Sequence, residues 1–230
     1  MEQLILIIAL LMATVIGSAQ FFSERFSKFY RPYYNQTISL SAGISVTYIF
    51  LELFPTFSER AVNLNEYLFI SPLVGFIIFH FFEKHVYHHY EKKVIKKELL
   101  IEGILISFIY HIILGIIIFN FLNESIEKGL LLFFPILIFT VVSILSFNRV
   151  ISIKINLLLS FSTLIGVIIA LFIFSIIDNY VLTFLIGFLN GVLMFSVFRH
   201  SLPWGRDGKP LFFILGIILY SPLIILSWSI

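Results

Sequence analysis

Glu52, His85, His88, His89, His111 and His200 are the side chains in this sequence whose types suit holding or passing a cation. Carboxylate oxygen and imidazole nitrogen are standard ligands for Zn²⁺ and its neighbours. Glu52 lies in an apolar run, three residues before Pro55. A carboxylate so placed must face a cavity or a partner. It reads as a cation entry ligand or a proton carrier; the bland alternative is an acid at a helix end that reaches for water. His111 lies in the middle of another apolar run. It reads as a cation contact, or as a neutral imidazole hydrogen-bonded to a neighbouring helix. His85, His88 and His89 are spaced i, i+3, i+4 and share one helical face, which suits a loosely held cation. The adjacent Lys92, Lys93, Lys96 and Lys97 suit lipid phosphate equally well. His200 follows Arg199, whose guanidinium is expected to snorkel toward headgroups.

A Zn²⁺ ion takes about four such ligands. The polar neighbours expected to line a path beside His111 are Ser45, Ser107, Tyr110, Thr140, Ser143, Asn190 and Met194. Hydroxyls and amides compensate a dication poorly in a low dielectric, and no carboxylate stands at mid-depth among them. The set therefore suits a transient, partly hydrated cation or a neutral solute better than a tight zinc centre. Glu102 opens its run and reads most simply as an acid complementing a helix N-terminus.

The elements that position these residues follow from composition. Of 230 residues 60% are hydrophobic, only 12% are charged, and 28 are Phe. The mean hydropathy is +1.05. A soluble domain carries roughly a quarter charged residues, so a water-soluble enzyme and a disordered chain are excluded, and the composition weighs against a basic nucleic-acid binder. Apolar stretches fall near 3–22, 37–57, 66–84, 99–122, 129–147, 155–177, 180–199 and 210–229. Backbone polar groups in lipid must be paired internally, which leaves helices or a closed barrel. The stretches do not alternate with period two, so they are expected to be helices. An all-α integral membrane protein of eight transmembrane helices follows, with residues 1–230 as one polytopic domain. Met1-Glu2 is acidic where a secretory signal is basic, so the first helix is expected to be retained. Ala9, Ala13 and Gly17, and again Gly103, Ser107, His111 and Gly115, recur every fourth residue and are expected to be packing seams.

Charge sets the orientation. Of the 15 Lys and Arg, 13 fall in the first, third, fifth and seventh connections, and only Arg60 and Lys128 fall on the other side. The positive-inside rule puts the odd connections in the cytoplasm and both termini outside, in a cell membrane. Cysteine is absent, so disulfides and thiolate ligands are excluded. The chain has no P-loop, His-Glu-x-x-His or Gly-x-Ser-x-Gly motif. No enzymatic activity, bound cofactor or nucleic-acid partner is expected. A lipid-acting enzyme using His111 and Glu102 lacks a nucleophile–base pair.

The second stretch runs from Gly43 through Glu52 to Pro55, and the seventh from Gly191 through His200 to Pro203. In each, Pro follows Gly by twelve residues and an ionisable residue stands at the ninth. With opposite predicted directions, the pair suggests an inverted repeat of the kind that builds alternating-access carriers. These stretches, with Glu83-Lys84 and the His-containing connection after them, resemble the ZIP family of divalent-metal transporters. The resemblance implies an eight-helix bundle, helices 1–3 related to 6–8 by inversion, and inward transport of Zn, Fe or Mn. Glu52 would receive the ion, and His200 with the loop histidines would release it. It also allows a homodimer, alongside membrane lipid as surroundings. The chain departs from the family at its centre. Tyr110 stands at the family's His position and His111 at its Asn position. Leu114 replaces the acid, and 129–147 has neither His nor carboxylate. The alternative is therefore the same fold with the metal centre lost, acting as a diverged solute carrier or a non-transporting scaffold.

Overall fold

A computed structural model describes residues 2–89, 92–146, 153–173, 177–200, 202 and 208–229. Helices follow one another along the chain: α1 (Glu2–Tyr30), α2 (Tyr34–Tyr48), α3 (Phe54–Leu64), α4 (Ile70–His89), α5 (Lys92–Glu124), α6 (Ile126–Ser146), α7 (Ile153–Ile173), α8 (Asn179–His200) and α9 (Pro210–Ser227). The described residues contain no strand. Among the described residues, six helices are long and apolar enough to cross a membrane: Gln3–Phe22, Tyr34–Leu64, Ser107–Glu124, Lys154–Ile173, Asn179–Arg199 and Pro210–Ser227. Glu66–Phe81 is a shorter apolar helix. The chain is thus compatible with an integral membrane protein. Exposed apolar side chains line α9 (Leu211, Ile218, Leu226) and α1 (Leu4, Ile7, Leu11), surfaces suited to lipid rather than water.

Three boundaries differ from the expectation for physical reasons. Helices α1 and α5 run well past their apolar stretches into charged sequence, because Lys, Arg and Glu are good helix formers. The second helical run does not end near Pro55. Over Ile49–Leu53 the helix widens to π geometry, and the Phe54 N–H reaches back to the Ile49 carbonyl. Pro55 then sits in the first turn of α3, where its missing N–H is least needed. The run continues to Leu64 and stops at Asn65, whose backbone is extended and whose side chain accepts the Tyr67 N–H at 2.9 Å.

Packing divides the helices into partnerships. α5 lies along α7, α1 along α7 and α6, α2 along α9, and α4 along α8, with α2 also reaching α6 and α8 reaching α5. The two expected small-residue stripes are packing seams. Ala9 and Ala13 are fully buried, Gly17 meets the Ser160 carbonyl, and Gly115 meets Thr163 and Gly166. The tightest approaches to another helix's backbone outside those seams are at Gly43 and Gly191. A Cβ on Gly43 would run into the Phe213 carbonyl of α9, and one on Gly191 into the Pro72 carbonyl of α4. Large side chains such as Tyr48, Phe57, Phe121 and Leu132 fill the spaces between helices.

Candidate functional site

Along α2 and its π turn, Ser41, Ser45, Tyr48 and Glu52 follow at steps of four, three and four. That spacing puts them on one helical face. All four are buried, Tyr48 to 1% exposure and Glu52 to 7%. The hydroxyls of Ser41, Ser45 and Tyr48 have no hydrogen-bond partner. This stripe faces helices that bring their own polar groups. Tyr48 lies within electrostatic reach of Glu52, of Tyr220 on α9 and of Tyr110 on α5. The Tyr220 hydroxyl donates to the Leu131 carbonyl at 2.7 Å, tying α9 to α6. The Tyr110 hydroxyl is buried and has no partner.

His111 is buried beside Tyr110, their rings 4.9 Å apart and nearly perpendicular. Its Nδ1 lies 2.7 Å from the Ser107 carbonyl oxygen one turn back, and Ser107 Oγ lies 3.3 Å away. A carbonyl can only accept, so Nδ1 carries the proton and Nε2 presents a lone pair. That Nε2 is buried and has no partner. On α8, Asn190 is 0% exposed, and neither its amide nitrogen nor its oxygen has a partner. Thr183 on α8 and Thr163 on α7 likewise bury unpartnered hydroxyls. Buried polar groups are nearly always hydrogen-bonded, so this concentration needs a reason.

One end of the bundle carries a charged rim beside Glu52. The Arg60 guanidinium on α3 pairs with Glu124 at the end of α5, and Lys128 Nζ on α6 reaches the same carboxylate at 3.1 Å. These side chains are 23%, 29% and 38% exposed for Arg60, Glu124 and Lys128. Arg60 and Lys128 are the two basic residues that the charge distribution sets apart, and here they meet on one acid. Glu52 lies within electrostatic reach of both Lys128 and Glu124, and the Trp228 indole just past the end of α9 stands within interaction range of its carboxylate.

The residues expected to act together are therefore only partly assembled. Ser45, Tyr110, His111, Thr140 and Asn190 are all buried, and Met194 packs half-buried against the core. Glu52 lies within electrostatic reach of Tyr48, Tyr220 and Trp228, and Tyr110 within reach of Tyr48. Among the described residues, no three His, Asp or Glu side chains converge as a metal-binding group. The side chains of His85, His88, His89, Glu102, Ser143 and His200 lie outside the described residues. Tyr48, Tyr220, Ser41 and the Arg60–Glu124–Lys128 rim are additions that the chemistry-first reading of the sequence missed. The four-three-four spacing leading to Glu52 was the available signal for the first and third of these. Compared with known proteins, the chain has no match: no family model, no curated protein and no solved structure.

Proposed function

We propose that this chain is a secondary membrane carrier of ZIP-like architecture. In this reading it has eight spans, both termini outside the cell membrane, and an inverted relation between helices 1–3 and 6–8. The observation that carries the reading is the set of buried, unpartnered polar atoms on α2, α5, α7 and α8. A bundle that only had to be stable would not leave them so, since each costs about 1–3 kcal/mol. They are what a hydrophilic cargo would meet in place of water. The matching roles of Gly43 against α9 and Gly191 against α4 support the inverted repeat. The meeting of Arg60 and Lys128 at one end supports the one-sided charge distribution.

The cargo that best fits this lining is small and hydrophilic, and is passed on rather than held. The natural lack of cysteine permits a direct test. Asn190→Cys in proteoliposomes should react with a small membrane-impermeant thiol reagent from both sides as the carrier cycles. Silence from both sides would make the protein a scaffold. Divalent-metal transport stands as the second reading, favoured by the free Nε2 lone pair of His111 and the buried Glu52 carboxylate. Calorimetry with Zn²⁺ separates the two. We expect no saturable binding; a one-to-one isotherm lost in both Glu52→Ala and His111→Ala would establish metal as the cargo.

A further inference from the structure

Among the described residues, Glu52 is a buried carboxylate without an ion pair. The basic side chain within its electrostatic reach, Lys128, pairs instead with Glu124 in the more exposed rim, as does Arg60. Within electrostatic reach of Glu52, besides that rim, are neutral aromatic groups: Tyr48, Tyr220 and the Trp228 indole, with Tyr110 in turn within reach of Tyr48. Two of those phenols, Tyr48 and Tyr110, have hydroxyls with no partner, and both residues are more than nine-tenths buried. Each phenolic oxygen can accept as well as donate, and each ring face attracts positive charge. The backbone adds to this. Glu52 sits inside the π turn Ile49–Leu53, and π turns recur at functional sites because they widen the helix locally.

We propose that Glu52, Tyr48, Tyr110 and Tyr220 form a binding site for a singly charged cation, either an alkali ion or a small primary ammonium. The choice of a single charge follows from counting. One carboxylate compensates one elementary charge, and the phenols compensate none. A dication would leave one charge bare in apolar surroundings, which is strongly unfavourable. The donors are all hard oxygens, the kind that alkali and ammonium ions accept, whereas the imidazole that would favour a borderline metal belongs to His111. The rim above is exposed enough for solvent to screen its one excess positive charge. This site rests on the carrier reading for its role, as the place where cargo or a coupled ion lodges.

Trp228 makes the site readable, because its indole lies within interaction range of the Glu52 carboxylate. The chain has only two Trp, so Trp204→Phe leaves Trp228 as the sole indole. That protein, in nanodiscs of zwitterionic lipid, is titrated separately with Na⁺, K⁺, methylammonium and Zn²⁺, with N-methylglucamine chloride holding ionic strength constant. We expect a saturating change in Trp228 emission with at least one of the three monovalent cations, and the arm that saturates tells alkali ion from ammonium. Glu52→Gln should abolish saturation, and Tyr48→Phe should raise the midpoint tenfold or more. A response that is linear for every monovalent cation, saturation confined to Zn²⁺, or a Tyr48→Phe midpoint equal to that of the parent would overturn the site. The Tyr48 substitution removes a single oxygen, so it keeps the test open if Glu52→Gln does not fold. Thiol labelling at position 190 with a flat titration removes this site alone. Saturation without labelling removes the carrier reading alone.

Discussion

Asn190→Leu should make this protein more stable and less active. Asn190 is fully buried on α8, and both polar atoms of its side chain lack a partner. An unsatisfied buried group costs about 1–3 kcal/mol, and an apolar replacement of similar shape removes that cost. Leu has as many side-chain heavy atoms as Asn, branched at the same carbon, but its methyl groups are bulkier, so repacking offsets part of the gain; Leu is also the better helix former by a few tenths of a kcal/mol. The gain should therefore be about 1–3 kcal/mol, the lower figure being the safer one because polar groups in lipid-embedded proteins give modest measured energies. For a chain of this length that corresponds to a rise of about 2–12 °C in Tm. The assay is thermal unfolding of parent and variant in the same nanodiscs, followed by tryptophan emission, beside thiol labelling at a second buried position, Tyr110→Cys, in both backgrounds. Asn190→Leu should raise Tm and slow the labelling. A fall in Tm of more than a few degrees would show that Asn190 holds a structural hydrogen bond. The unpartnered atoms would then no longer argue for a cargo path.

Other substitutions separate the groups that are used structurally from those left free. Tyr220→Phe removes a donor from the Leu131 carbonyl and should cost about 1 kcal/mol, whereas Tyr48→Phe removes an unpartnered hydroxyl and should cost nothing; unfolding in parallel samples compares them. Gly191→Ala drives a Cβ into the Pro72 carbonyl, so overpacking should destabilise by about 1–3 kcal/mol, and Gly43→Ala should do the same against Phe213. Unequal effects at the two positions, read from Tm, would weaken the repeat. Arg60→Ala should cost under about 1 kcal/mol, and less in high salt, because the rim pair is partly exposed; a loss that salt does not reduce would place that pair in a drier setting.

Much of the helical layout was legible in the residues. Apolar runs without period-two alternation cannot satisfy their backbones in lipid except as helices, and the described chain is helical wherever those runs fall. The stripes at Ala9-Ala13-Gly17 and Ser107-His111-Gly115 were legible as seams, because small residues at fourfold spacing admit a second backbone. Less visible was the fate of Pro55. A proline after an apolar run reads as a stop, and only the preceding π turn lets the helix absorb it. The site was legible in its members and hidden in its groupings. Glu52, Tyr110, His111, Asn190 and Ser45 stood out as polar residues in apolar runs. Nothing local said that Glu52 would keep company with Tyr48, Tyr220 and Trp228.

Composition and periodicity alone determine that this chain is a bundle of apolar helices with few charges to place, because the bilayer and the backbone admit no other solution. They also determine that its interior is poor in acids, which limits what charge it can stabilise. Tertiary structure decides which of the rare polar groups meet. Whether Arg60 and Lys128 leave Glu52 unpaired by converging on Glu124 depends on how α3, α5 and α6 end side by side. Whether the His111 Nε2 and the Asn190 amide find partners depends on the helices packed against them. Those are contacts between residues far apart in sequence, and helical periodicity carries no information about which faces meet.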